Sequence, residues 1–476
     1  MPNRNFLLLV VICFTCLAAY AAREQSAAGR RFGEVLAHID HSYLDRVDHG
    51  QLLDAAVDAA VSELDEHSAY IRGDDRIELE AALDQKFGGV GLELTIDEAT
   101  REPLVASPVV DSPAWRAGIR MGDRIGAIDG EPTAGIPLRE IVGRLRGPVG
   151  DAVVVAVVRP ASTRPPTLDP AAAPRHDAER RDVTLVRELI RTESVTGDRR
   201  LPDGGWDWMV EDAPGIALVR ITTFGERTAA EFAAAADAIA ANGDVRGLVL
   251  DLRGNPGGLL SAAVDVCDLF LEEGVIVHTR GRRVSGSTAE SELLESRRAS
   301  PGARLPGVPL MVLVDGRSAS AAEIVAGCLQ DSGRATIVGS RTFGKGTVQA
   351  ILPLSDDRGL LKLTTSEYLR PSRVNIHRRR SDGDDEAWGV APDAGYEVAP
   401  SADAIARLNA WRRHRDAVGT APGDLPPAAR LPPREIDPVL ARAIDGLSGP
   451  VAPSKPHLRG EEEAPRDDDH ALRPDA

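Results

Sequence analysis

Lysine is scarce in this sequence, whereas arginine is abundant. Lysine and arginine together number 56, but only four are lysine: Lys86, Lys345, Lys362 and Lys455. Arginine stays protonated in proteins, whereas a desolvated lysine can lose its proton and act as a base. Lys345 lies between two glycines in the stretch F-G-K-G. It is therefore a candidate general base rather than one more surface cation.

Other absences exclude several classes of function. The net charge of −17 argues against general binding to nucleic acid. The chain contains neither the H-E-x-x-H pattern of zinc peptidases nor the G-x-x-x-x-G-K-[ST] pattern of nucleotide-binding loops, so we expect no metal and no cofactor. Beyond the N-terminal segment, the only cysteines are Cys267 and Cys328. Both fall on apolar helix faces and are expected to be buried, and the sequence leaves open whether they form a disulfide.

The first 22 residues have the pattern of a signal peptide. Arg4 supplies the positive charge, an apolar run of 14 residues follows from Phe6 to Ala19, and Ala19-Tyr20-Ala21 is an A-x-A cleavage site. The run is shorter than the roughly 20 residues of a membrane-spanning helix. We therefore predict an exported, periplasmic or cell-envelope protein. The alternative is an uncleaved N-terminal anchor, which would associate the protein with a membrane.

The residues from 309 to 350 contain the strongest chemical pattern. An apolar run, Leu310–Val314, predicts a buried strand, and the spacing of Ser320 and Glu323 is that of a capping box at the start of a helix. Backbone N–H groups point outward unpaired at a helix start. A nucleophile at Ser320 could therefore use the N–H of Ala321 to stabilise an oxyanion, with Lys345 as its base.

Two motifs in this stretch, S-A-S-A-A-E and F-G-K-G-T-V-Q, resemble those of the carboxyl-terminal processing (tail-specific) proteases, a family of Ser/Lys serine peptidases. The resemblance implies that Ser320 is the nucleophile, Lys345 the base and Gln349 a support for the lysine. The stretch D-L-R-G-N-P-G-G, residues 251–258, matches the same family and implies a second oxyanion-hole N–H. We assign it to Gly257, with Gly258 as the alternative.

A second module is predicted from a glycine-rich loop that is followed by a strand. The sequence F-G-G-V-G-L-E-L at residues 87–94 resembles the carboxylate-binding loop and first strand of a PDZ domain. Glycines let successive N–H groups converge on a peptide carboxylate. The candidate binding residues are Gly88, Gly89, Val90, Gly91 and Leu92. The late helix is expected at Ile141–Leu145, and a Pro- and Ala-rich, charged stretch at 160–181 is interpreted as a disordered insertion.

From residue 215 strands and helices alternate, which predicts an α/β core, and the resemblance implies one of the crotonase/ClpP-like kind. The predicted fold is therefore multidomain α/β. Its parts are a signal peptide or anchor (1–22), an N-terminal helical segment (23–85), a PDZ domain (86–190), a serine protease core (191–400) and a largely disordered tail (401–476). We expect truncation after about Ser401 to leave peptide cleavage unchanged.

The function predicted from these features is that of an exported serine endopeptidase. The resemblance implies unfolded or flexible polypeptide substrates that are recognised by their free C-termini. One alternative is a catalytically silent PDZ scaffold of the cell envelope, and another is acyl-thioester chemistry with coenzyme A on a crotonase-like core. Ser320 and Lys345 are both present, which disfavours the silent scaffold. The sequence leaves open whether the protein forms a homo-oligomer and whether the PDZ domain activates the protease or only tethers the substrate.

Overall fold

A computed structural model describes residues 27–97, 100–159, 179–283, 291–354, 359–379, 388–418 and 430–449. The predicted signal peptide and residues 160–178 of the predicted insertion lie outside these ranges. The chain divides into two compact units. One comprises the residues up to Arg72 together with Ala350–Leu363, and the other comprises Gly73–Gln349 together with the residues from Thr364 onward. Within the described ranges, no helix is long and apolar enough to cross a membrane.

The helices of the described chain are α1 (Ala27–Ser42), α2 (His49–Ser62), α3 (Gly73–Asp84), α4 (Pro113–Arg116), α5 (Leu138–Leu145), α6 (Thr228–Ala241), α7 (Leu260–Asp268), α8 (Ala321–Asp331), α9 (Ala402–Asp416), α10 (Pro433–Ile436) and α11 (Pro438–Ser448). The strands are β1 (Ala69–Ile71), β2 (Lys86–Gly89), β3 (Leu92–Ile96), β4 (Pro103–Pro108), β5 (Arg124–Ile128), β6 (Glu131–Pro132), β7 (Ala152–Arg159), β8 (Glu179–Val186), β9 (Glu188–Arg191), β10 (Val195–Thr196), β11 (Arg199–Arg200), β12 (Trp206–Asp207), β13 (Ile216–Ile221), β14 (Gly247–Asp251), β15 (Val275–Arg283), β16 (Ser291–Arg298), β17 (Leu310–Val314), β18 (Thr336–Gly339), β19 (Thr347–Pro353) and β20 (Leu360–Leu369).

The first unit contains α1, α2 and β1. Helix α2 begins after Asp48, whose carboxylate accepts hydrogen bonds from the N–H groups of Gly50 and Gln51. Strand β1 pairs antiparallel with the first residues of β20, so that Ala69 lies opposite Lys362. This unit therefore joins residues from the N-terminal helical segment to residues that are almost 300 positions later in the chain.

The second unit contains an antiparallel sheet in the order β3-β4-β5-β7-β8, with β6 paired to β5. Its core is formed by alternating apolar residues and by one face of α5, where Ile141 and Leu145 are buried four positions apart. Strand β2 pairs antiparallel with β9, which anchors the first part of the glycine-rich stretch. The predicted insertion is shorter than expected, because Glu179, Arg180 and Arg181 already belong to β8 and pair with β7.

The same unit contains a second sheet, in which β13, β14, β17 and β18 lie side by side and parallel. Both faces are covered, and this explains why these strands are continuous apolar runs rather than alternating ones. Along β17, Leu310, Val312 and Val314 pack with α6, α7 and α8, whereas Met311 and Leu313 pack with α11. The strand predicted at Leu310–Val314 is confirmed.

The prediction of a largely disordered tail is wrong for its described part. Helix α9 buries Trp411, and α11 contributes an apolar stripe to the core: Val439, Leu440, Ala443, Ile444 and Leu447. These five residues recur with helical spacing, so the signal was present in the sequence. Averaging the composition over a proline-rich and charged segment hid it.

Candidate active site

The predicted catalytic residues lie where two parallel strands end next to each other. Strand β14 is followed by the loop 253–258 and β17 by the loop 315–320, and the two strands are paired. The loops are joined by two hydrogen bonds. The Gly254 N–H donates to Asp315 Oδ1 at 2.9 Å, and the Ala319 N–H donates to the Asn255 carbonyl at 2.9 Å. Because parallel strands direct their carboxyl ends to one edge of a sheet, the site forms at that edge.

Ser320 occupies the N-cap position of α8 with an uncommon backbone conformation. Its φ is 54° and its ψ is −114°, a region that residues other than glycine rarely occupy. Such conformations cost of order 1–3 kcal/mol and persist only where the surroundings enforce them. The predicted capping partner Glu323 provides one such restraint, since its Oε2 accepts a hydrogen bond from the Ser320 N–H at 2.8 Å.

Glu323 also holds the lysine loop. The same Oε2 accepts from the Lys345 N–H at 2.8 Å, while Oε1 accepts from the Gly344 N–H at 2.7 Å and from the Thr342 hydroxyl at 2.6 Å. The side chain is fully buried, and burial raises the pKa of Glu323 although these four hydrogen bonds oppose the rise. One carboxylate therefore fixes the main chains of both predicted catalytic residues. Sequence reasoning identified Glu323 only as a capping residue.

A buried tyrosine provides a second link between the two loops. The Tyr368 hydroxyl lies within hydrogen-bond distance of the Ser320 carbonyl, at 3.1 Å, and of the Lys345 carbonyl. Burial, reinforced by the negative charge of Glu323, raises the pKa of Tyr368 well above its usual value, so the phenol stays protonated. Sequence reasoning missed this residue, and no short motif marked it.

The two glycines predicted for the oxyanion hole have different surroundings. A Cβ on Gly257 would lie 2.8 Å from the Cβ of Ser320, so only glycine permits this approach. The Gly257 N–H already donates to Asn255 Oδ1 at 2.8 Å. In the described part of the chain, the N–H groups of Gly258 and Ala321 have no such partner. These two donors are the ones available to a ligand.

Gln349 lies on β19 on the same face as Thr347. Its side-chain nitrogen donates to the hydroxyls of Thr347 at 2.9 Å and Thr364 at 3.3 Å. These bonds fix the orientation of the amide.

The predicted carboxylate-binding loop connects β2 to β3. Gly88 and Gly89 are paired with Leu189 and Glu188 of β9. Gly91 has a φ of 76°, and a Cβ there would lie 2.1 Å from the Cβ of Ser112, which explains the requirement for glycine. Val90 is buried in the core of the antiparallel sheet, and the half-buried Leu92 packs against that core.

A cation lies beside this loop. The guanidinium of Arg146 stacks 4.5 Å from the centre of the Phe87 ring, at the end of α5. Its buried Nε has no hydrogen-bond partner among the described residues. The loop therefore lies beside one arginine that retains an unused donor.

The two remaining cysteines are free thiols, and both are buried. Burial, together with the neighbouring Cys328, raises the pKa of Cys267 well above its usual value, so the thiol stays protonated. Within the described ranges, no cluster of three or more His, Cys, Asp or Glu residues is arranged to hold a metal ion.

Comparison with known proteins gives matches for both modules. Residues 215–395 match peptidase family S41 and residues 104–159 match the PDZ domain. The chain is 34% identical over 370 residues to a carboxy-terminal-processing protease of Bartonella bacilliformis, which covers 77% of this chain and 74% of that one. It is 33% identical over 345 residues to a carboxyl-terminal-processing protease of Synechocystis sp., with coverages of 72% and 70%. The solved structure of a photosystem II D1 C-terminal processing protease is 28% identical with a TM-score of 0.41, covering 78% of this chain and 87% of that one.

Proposed function

Because the chain belongs to the carboxy-terminal-processing proteases of peptidase family S41, and is thus a serine-type peptidase, we propose that Ser320 is its nucleophile and Lys345 its general base. The predicted combination of a PDZ domain with a peptidase core is confirmed by the two family matches. The observation that carries the assignment of residues is the Glu323 carboxylate. It accepts hydrogen bonds from the N–H groups of both Ser320 and Lys345, at 2.8 Å each.

The proposed reaction begins when the neutral Lys345 amine takes the proton of the Ser320 hydroxyl. Oγ then bonds to the substrate carbonyl carbon, and the N–H groups of Ala321 and Gly258 stabilise the oxyanion, with Gly257 allowing the close approach. Collapse of the intermediate breaks the C–N bond, and the leaving amine takes the proton from Lys345. Water then attacks the acyl-enzyme while Lys345 takes its proton, the acyl C–Oγ bond breaks to release the new C-terminus, and Lys345 returns the proton to Oγ. We assign Gln349 to orienting the lysine loop.

Ser320→Ala should abolish cleavage of an unstructured peptide while the protein stays folded. The substitution removes only Oγ, and a lost N-cap costs about 1 kcal/mol. Turnover should be measured together with labelling by a fluorophosphonate and with the melting temperature. Cleavage at the wild-type rate by this variant would remove Ser320 from the mechanism.

Lys345→Arg tests the base separately from the charge. Arginine keeps the positive charge and a similar length but cannot supply a neutral amine. We expect near-complete loss of cleavage at every pH at which the variant is folded. Wild-type turnover would leave Lys345 with an electrostatic role only.

We further propose that the PDZ domain selects substrates by their free C-terminal carboxylate, through residues 88–92 and Arg146. A charge-assisted hydrogen bond is worth about 1.5–3 kcal/mol. An amidated substrate should therefore have a higher KM, by roughly tenfold for each 1.4 kcal/mol lost. A lower kcat as well would show that PDZ occupation also aligns the active site, whereas a change in KM alone would show tethering.

This experiment compares one unstructured substrate with a free and with an amidated C-terminus, on the wild type and on Arg146→Gln. The variant should lose most of its preference for the free carboxylate. Equal kinetics for both substrates on the wild-type enzyme would contradict selection by the C-terminus.

The N-terminal pattern leads us to propose export of the protein. Edman sequencing and cell fractionation test it, since a cleaved signal peptide leaves a new N-terminus near residue 22 outside the cytoplasm. A chain that keeps Met1 in the membrane fraction would support the anchor instead. A chain that keeps Met1 in the cytosol would contradict export.

A further inference from the structure

A largely buried arginine at the start of the loop 253–258 is held from two sides by carboxylates. Arg253 donates to Asp251 through Nε at 2.9 Å and Nη2 at 2.6 Å. It donates to Asp437 through Nη1 at 2.9 Å and Nη2 at 2.7 Å. Asp437 is completely buried and Asp251 is 6% exposed. Such bidentate contacts fix the plane of a guanidinium as well as its position.

The two acids come from different parts of the chain. Asp251 ends β14 and is two residues from Arg253, so its contact is local. Asp437 lies 184 residues away in sequence, at the N-cap of α11. It is outside the segment 215–395 that matches the peptidase family. The segment interpreted as a disordered tail therefore supplies one of the two acids that hold this loop.

Asp437 is ionised in this environment. Burial alone would raise its pKa, but the charge and hydrogen bonds of Arg253 outweigh burial and hold the pKa of Asp437 below its usual range. Its Oδ1 also accepts from the N–H groups of Val439 and Leu440, at 3.2 and 3.0 Å. The start of α11 and the position of Arg253 are thus set by one carboxylate.

The chain runs from Arg253 to Asn255, whose hydrogen bonds reach Gly257 and the residue before Ser320. Asn255, two residues later, donates from its side chain to the Ile221 carbonyl at 2.8 Å and accepts from the Gly257 N–H at 2.8 Å. Its carbonyl accepts from the Ala319 N–H at 2.9 Å, one residue before Ser320. A shift of Arg253 would therefore change the position of Gly257 and Gly258 relative to the nucleophile.

We propose that Asp437 is a positioning residue for peptide cleavage, which acts through Arg253 to hold the loop 253–258 against Ser320. This proposal rests on the function proposed above for Ser320 and Gly258. It makes the N-cap residue of the tail helix α11 a support of the loop 253–258. A misplacement of about 1 Å at a reacting centre can lower the rate about 100-fold, so the contact has a measurable consequence.

Asp437→Asn in the full-length protein is the test. Asparagine is nearly isosteric and remains a good N-cap, but it loses the charge and one of the acceptor oxygens. Arg253 stays paired with Asp251, so the variant should fold. We expect kcat for an unstructured peptide to fall about 10- to 100-fold, with KM within twofold of the wild type. Fluorophosphonate labelling of Ser320 should slow by a similar factor.

Ile444→Ala is the matched control, because Ile444 is buried on the same helix in the apolar cluster with Val249 and Leu313 of the sheet, and its side chain has no polar group that could bond to Arg253. It should lower the melting temperature at least as much as Asp437→Asn and keep wild-type kcat well below both melting temperatures. Wild-type kcat and labelling in Asp437→Asn would overturn the proposal. Losses of kcat that follow the melting temperature in both variants would also overturn it, since Asp437 would then only stabilise the fold.

If the asparagine variant is insoluble, Asp437→Ser provides the same neutral N-cap and is expected to show the same loss of kcat. Failure of this proposal is distinguishable from failure of the proposed function. In the first case Asp437→Asn cleaves normally while Ser320→Ala does not cleave. In the second case Ser320→Ala itself keeps its turnover.

Discussion

The two faces of the parallel core sheet are covered by helices that come from different parts of the chain. One face is covered by α6, α7 and α8, each of which follows one of the parallel strands and precedes the next in the chain. The other is covered mainly by α11, which comes from the C-terminal tail. The first arrangement follows from alternation of strands and helices along the sequence. The second needs a distant segment, so apolar strands alone show that a second cover is required but not which segment provides it.

Removal of the second cover should have the largest effect. Truncation after Ser401 exposes the side of the sheet formed by Leu218, Val249 and Leu313, all of which are buried in the full chain. We expect an insoluble or unfolded protein without cleavage activity, contrary to the expectation from composition. Circular dichroism and a peptide cleavage assay measure this. Truncation after Gly449, which keeps α11, is the control and should fold and cleave.

Substitution of the Glu323 carboxylate, on the face covered by α6, α7 and α8, should lower the cleavage rate more than it lowers the stability of the fold. In glutamine, an NH₂ group takes the place of one of the two carboxylate oxygens, either the one that accepts hydrogen bonds from the two N–H groups or the other one. An NH₂ group cannot accept these hydrogen bonds. We expect kcat to fall by at least about 100-fold because both catalytic loops lose their common anchor. The control is Glu273→Gln, at an exposed position. Wild-type kcat in Glu323→Gln would show that the two loops are held without this carboxylate.

Cavities of equal size on the two faces of the sheet should lower the free energy of unfolding by similar amounts. Ile239 on α6 and Ile444 on α11 are both almost completely buried, at 0% and 1% exposure. Each substitution by alanine should lower the free energy of unfolding by about 2–5 kcal/mol. Urea denaturation measures both values. A cost near zero for Ile444→Ala would show that the tail helix is not a full part of the core.

The motifs allowed the candidate residues of the proposed active site to be named, and tertiary contacts identify the residues that hold them. Two short motifs, whose spacing has a chemical reason, contain Ser320, Ala321 and Lys345. Gly257 and Gly258 were found in the same way, but only the bond from Gly257 to Asn255 distinguishes the occupied donor from the available one. The tail was misjudged because composition was averaged where the helical period should have been counted.

The sequence by itself determined the apolar strands of an α/β core, a serine at a helix start that we propose as the nucleophile, and a lysine rather than an arginine in the glycine loop. These features depend on residue type and on spacing within a few turns of chain. Only the tertiary structure decided that Glu323 joins the loops of Ser320 and Lys345, that Tyr368 contacts both, and that Asp437 holds Arg253. The reason is physical: a hydrogen bond between residues distant in sequence exists only after packing has brought them together. Until then neither partner has a local pattern that identifies the other.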